Sequence, residues 1–151
     1  MINILQESVD SGTRRSIHRW ETTQMKYMLL IYLDEKALSE GERNECYVES
    51  AELAQDIHKN GLYLTAAPLH PTLTATSVRV REGKQLVTDG PFAETREQLG
   101  GFFMIDAANL DEAISIAARI PGARRGTVEI RPVMGVPGLP ESDPIMRKER
   151  R

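Results

Sequence analysis

The run Tyr27-Met28-Leu29-Leu30-Ile31-Tyr32-Leu33 is apolar at every position and stops abruptly at Asp34-Glu35-Lys36. Such a run is too short for a buried helix, and it is what a strand covered on both faces requires. A chain built on this strand must therefore supply a packing layer for each face of the sheet that contains it.

The segments that follow state what those layers are. A helix is predicted over residues 40–60, where Cys46, Leu53 and Ile57 line one stripe flanked by Ser50 and Ala54. Glu45, Glu52, Asp56 and Lys59 face away from it, His58 is a boundary residue, and Gly61 supplies the stop. Residues 62–66 begin a second strand, closed by Pro68 and the His70-Pro71 loop. Residues 76–81 alternate, Val78 and Val80 on one face against Ser77, Arg79 and Arg81 on the other. Glu82-Gly83-Lys84 turns the chain and residues 85–88 return as a hairpin partner. Residues 99–105 form the next strand, in which Gly100 and Gly101 mark a bulge or a close backbone approach. Asn109 with Glu112 reads as a capping box for a second helix whose apolar face is Leu110, Ala113, Ile114, Ala117 and Ile120. Pro121-Gly122 ends it, and residues 127–131 are a last strand with Val128 and Ile130 inward.

The order is strand, helix, strand, hairpin, strand, helix, strand, an α+β arrangement with two amphipathic helices on one antiparallel sheet. The helices cover one face of that sheet. A second copy of the chain is the economical cover for the other, so a homodimer is expected. Residues 1–24 are a polar, turn-rich extension ahead of Met25, and residues 135–151 a Pro/Gly-rich and then basic tail, with no chemistry expected in either.

Composition excludes several classes. A net charge of -3 gives no electrostatic footprint for nucleic acid or anionic membrane. The single Cys46 can form no internal disulfide, no apolar run approaches a membrane span, and the N-terminus lacks a secretory h-region. The expected location is the cytoplasm. Three scattered histidines and one cysteine make no metal site, no phosphate-binding glycine loop or nucleophile elbow is present, and no cofactor is implied.

Three residues carry the candidate chemistry. Asp89 sits at the end of a strand, where Gly90 can take positive φ and Pro91 fixes the corner. It reads as a general base for a small ligand or as a cap of its own turn. Arg79 could clamp a carboxylate bidentately if its strand face lines a cleft, and is otherwise a solvated charge. His70 is a proton carrier near neutral pH by type and a surface histidine by position. Glu94, Arg96 and Glu97 read as an exposed helical turn, and Phe92, Phe102 and Phe103 as core or dimer contacts.

The stretches 25–32, 75–81 and, above all, Thr88-Asp89-Gly90-Pro91-Phe92-Ala93-Glu94-Thr95 resemble the YCII-related family, and more narrowly its DGPF branch. The resemblance covers residues 25–134. It implies a ferredoxin-like α+β fold whose sheets pair into a dimeric α+β barrel, a small-molecule ligand, and a link to regulation by alternative sigma factors, whose genes often lie beside those of the branch. Some members have a His-Asp pair proposed as an active site. Asp89 matches the Asp, while His70 and His58 are candidates for the His only by presence. Two functions follow: a cofactor-free acid/base enzyme of the isomerase or lyase type acting on a small organic acid or cyclic substrate, or a non-catalytic ligand-binding or regulatory dimer.

Overall fold

The computed structural model describes residues 25–140; the extension 1–24 and the basic end of the tail lie outside the described residues. Strand β1 (Met25–Leu33) leads into helix α1 (Glu40–Lys59), strand β2 (Tyr63–Pro68) and a 3-10 turn at Thr72–Thr74. The hairpin β3 (Thr76–Arg81) and β4 (Lys84–Asp89) comes next, then β5 (Gln98–Ala107) and α2 (Leu110–Arg119). A four-residue helix α3 (Gly122–Arg125), which the Pro121-Gly122 stop signal concealed, precedes β6 (Thr127–Pro132). The fold is α+β with an antiparallel sheet in the order β2-β5-β1-β6, consistent with a ferredoxin-like architecture.

The apolar run is indeed a central strand, paired on one side with β5 and on the other with β6. Alternation divides it. Tyr27, Leu29 and Ile31 point into the helical layer together with Phe103, Ile105 and Ala107 of β5. Leu53 and Ile57 of α1, and Ala113, Ile116, Ala117 and Ile120 from the α2 region, close over them. Val128 and Ile130 pack against this core from β6, as their alternation predicts.

The apolar face of α2 is rotated from the expected one. Positions 113, 116, 117 and 120 are buried on one side of the helix, whereas Ile114 lies round from them and is 48% exposed; Leu110, on the buried side by period, is the first residue of the helix and is 51% exposed. The complete cap stands at the other helix. Ser39 Oγ accepts from the Glu42 amide at 3.2 Å, and Glu42 Oε2 accepts from the Ser39 amide at 2.9 Å, a complete capping box at the start of α1. At α2, Asn109 Oδ1 accepts from the Glu112 amide at 2.9 Å, but the Glu112 carboxylate reaches Ala108 instead of Asn109.

Both readings of the glycine pair hold. The β1–β5 register shifts so that Ile31 faces Gly101 and Tyr32 faces Leu99, leaving Gly100 as the bulge. A Cβ on Gly101 would stand 2.9 Å from the Ala67 carbonyl oxygen and 3.2 Å from Pro68 Cα. The side chain is absent because β2 runs too close.

Candidate functional site

The hairpin that carries two of the three candidate residues is a two-stranded sheet of its own. Its turn places Glu82 and Gly83 at positive φ (50° and 74°), the combination that matches the twist of a two-residue hairpin. The alternation of Val78 and Val80 does not bury them: both are 60% exposed, and Val87 across from Val78 is 57% exposed. Among the described residues, nothing packs over the ribbon.

The register also separates the two residues. Asp89 lies opposite Thr76, so it shares a face with Val78 and Val87, while Arg79 faces Leu86 on the other side of the ribbon. Within one chain, Asp89 and Arg79 therefore project in opposite directions. Asp89 is exposed, and the corner is held by other groups: the Gly90 amide donates to Ala75 O at 2.7 Å and Ser77 Oγ donates to Gly90 O at 2.8 Å. The expected capping of the turn by the Asp89 carboxylate is not formed: the Gly90 amide is taken by the Ala75 carbonyl instead. His70 is exposed in the loop after β2. Residues 91–97 are a series of bends rather than a helical turn. Of the three phenylalanines, Phe103 is core, Phe102 half-buried, and Phe92 79% exposed.

The concave feature lies elsewhere, on the helical side of the sheet between α1 and strands β2 and β5. It is a half-open cleft of about 480 Å³, within the size range of small-molecule sites. Its origin is visible residue by residue. Cys46, Ser50, Ala54 and His58 recur every four positions and form one row of α1 along the cleft. The neighbouring row, Leu53 and Ile57, carries the bulk that fills the core. Across the gap, the sheet presents Ala66, Pro68 and Gly101. At the middle of the cleft Ser50 and Ala54 meet Ala66, Pro68 and Gly101, so the space between two rigid elements stays open there. The floor is Ile31, Phe103 and the Ile120-Pro121-Gly122 turn.

The cleft is long. From Cys46 to His58 the helix climbs roughly 18 Å at 1.5 Å per residue, and β2 returns antiparallel over a similar span. One end is marked by the rings of His58 and Tyr63, edge to face at 5.8 Å. The other flank of α1 is tied down by exposed ion pairs to the helices beside it, Asp56 to Arg119 at 2.6 Å and Glu49 to Arg124 at 2.7 Å. These pairs orient α1 more than they stabilise it.

Glu35 secures the strand ends beside the cleft. Its carboxylate accepts from the Thr72 amide at 2.9 Å and from Thr72 Oγ1 at 2.8 Å, and its own amide donates to Gln98 Oε1 at 3.1 Å. One residue thus joins the loop after β1 to the 3-10 turn after β2 and to the first residue of β5. No local sequence signal marks it, since its partners are far along the chain. The small-residue row of α1 was readable as a flank of the apolar stripe, but its role as a cleft wall depends on what faces it.

Among the described residues, no group of three or more His, Cys, Asp or Glu side chains could hold a metal ion, and no helix is long and apolar enough to cross a membrane.

The profile of the YCII-related domain matches residues 25–137. Over 114 residues the chain is 39% identical to an uncharacterised protein of Rhizobium meliloti (strain 1021), covering 72% of this chain and 92% of that relative.

Proposed function

We propose that this chain, which belongs to the YCII-related family, is a small-molecule-binding protein that holds its ligand in the cleft between α1 and β2. The observation that carries this reading is the cleft itself: a preformed, largely apolar concavity with a few polar groups along one wall. Acid/base turnover asks for an acid and a base set against the same reacting atom. The cleft offers one imidazole, at its end, and the enzyme reading centred on Asp89 would need a second chain to enclose that residue. Ligand binding without chemistry is the simpler account.

The working unit in this reading is a homodimer. Met28, Leu30, Phe102 and Met104 alternate onto the sheet face away from the helices and are half-buried there. Sheet-to-sheet pairing would cover them. Leu30→Glu should then give a folded monomer by light scattering. A Leu30→Glu protein that stays dimeric removes this pairing. The Asp89-Gly90-Pro91-Phe92 corner supports placement in the DGPF branch, and a ligand-responsive dimer suits the regulatory link to sigma factors implied there.

The binding reading is tested by titrating anionic, cationic and neutral fragments into isotope-labelled protein and following backbone amides. Saturable shifts should cluster at Ser50, Ala54, His58 and Tyr63 and disappear in Ala54→Phe, with folding checked by circular dichroism. Shifts at Asp89, Arg79 and His70 with a silent cleft would reverse the conclusion in favour of the hairpin.

A further inference from the structure

Resting on the homodimer of the proposed function, we infer that the β3–β4 ribbon is a dimerisation arm whose Val78, Val80 and Val87 face lies against the second copy of the chain. The register gives the ribbon two unlike faces. The three valines share one with Thr76, Gln85 and Asp89, while Arg79, Arg81, Lys84 and Leu86 share the other. Each valine is more than half exposed. A two-stranded ribbon without a covering layer is marginally stable in water, and branched residues favour a strand when they pack against something. The valine face is built for a cover that the described residues of one chain do not supply.

Area identifies the cover. A stable interface buries about 800 Å² per partner, of which about 57%, or roughly 450 Å², is apolar. On the sheet face away from the helices, none of Met28, Leu30, Tyr32, Phe102 and Met104 retains more than about a third of its exposure. Side chains of this size present about 60–120 Å² each when free, so the five together offer under about 220 Å². That face alone is too small to hold a dimer. On the same scale the three valines add about 100–200 Å². Phe92, just past Asp89 and 79% exposed, adds about 120–200 Å². Sheet face and ribbon together come within range of the apolar area a dimer requires, and neither does so alone.

Charge selects the face. A patch laid against a copy of its own chain must not carry charge of one sign, because like charges brought together repel. Arg79, Arg81 and Lys84 make one side of the ribbon cationic, whereas Asp89, at the base, is the single charge on the valine side. The ribbon therefore turns its valines to the partner and its cations to water. The same contact brings Asp89, exposed within one chain, up to the second copy.

The test is sedimentation equilibrium of the full chain, comparing Val78→Thr/Val80→Thr/Val87→Thr with Leu86→Thr on the opposite face. Threonine keeps the branched shape, and all four sites are exposed within one chain, so circular dichroism of both variants should match the wild type. The triple variant should raise the dimer Kd by about tenfold or more, and Leu86→Thr should leave it unchanged. Amide exchange of the wild type over residues 76–89 should slow as protein concentration rises through the Kd. A triple variant with the wild-type Kd, alongside a monomeric Leu30→Glu, would overturn the arm and leave sheet pairing standing. Equal weakening by Leu86→Thr would also overturn it. So would protection of residues 76–89 that does not depend on concentration, which would assign the cover to the chain's own tail. A wild type that is monomeric at every concentration removes the homodimer, and the arm with it.

Discussion

Replacing Ala54 with leucine measures whether the space beside α1 is real. Ala54 is half-buried at the centre of the cleft wall. The new side chain adds three carbons, worth about 2.4 kcal/mol if fully buried at about 0.8 kcal/mol each. In a half-open cleft about half of that is realised, some 1.2 kcal/mol, and ordering a leucine side chain costs about 0.5–1 kcal/mol. The net expectation is stabilisation by about 0.5 kcal/mol, a rise in Tm of roughly 2 °C. Were α1 packed solidly on β2 and β5, the same change would overpack the contact and cost about 1–3 kcal/mol. The two outcomes differ in sign, so scanning calorimetry of the wild type and Ala54→Leu separates them. A fall in Tm of several degrees would refute the open-cleft description and, with it, the proposed ligand site.

Glu35→Ala removes both acceptors of Thr72 and should cost about 1–2 kcal/mol, since bonds to charged groups lie at the upper end of the usual range; hydrogen exchange should quicken over residues 69–75 while the β1–β5 core keeps its protection. Gly101→Ala sets a Cβ 2.9 Å from the Ala67 carbonyl oxygen and should destabilise by about 1–3 kcal/mol, read as a lower urea midpoint at unchanged slope. Glu42 is held below its ordinary carboxyl value, first by the Ser39 backbone amide and then by Arg125 and the Ser39 hydroxyl. A lowered folded-state pKa means that this contribution is present above the ordinary value of 4.5 and is lost as pH falls through the lowered one. Glu42→Gln should therefore flatten the acid limb of the stability profile, and an unchanged limb would show that the capping box is not linked to protonation.

Much of the fold could be read locally because the deciding forces were local. The unbroken apolar run of β1 had to be covered on both faces, the alternation of Val128 and Ile130 had to place one face inward, and the glycine pair had to relieve crowding. Where local pattern misled, a tertiary partner was missing or shared. Val78 and Val80 alternate like buried residues, yet no layer packs on their ribbon among the described residues. Ile114 belongs to the apolar composition of α2, but Ile116 occupies the position that meets the sheet.

The candidate site divides in the same way. Asp89, Arg79 and His70 stand out by residue type and turn chemistry, which report what a side chain can do but not what it faces. The β3–β4 register sends Asp89 and Arg79 to opposite sides of the ribbon. Cys46, Ser50, Ala54 and His58, ordinary in sequence, become one wall of a cleft because β2 returns beside α1 with Ala66 and Pro68 and β5 contributes Gly101.

By itself, then, the sequence determined the strands, the two long helices, their order and the central strand, since helix and strand periods are written within a few residues. Only the tertiary structure decided where a small molecule could bind. An opening of this kind is set by side chains that are absent on two elements at once, and no local stretch of sequence records that coincidence.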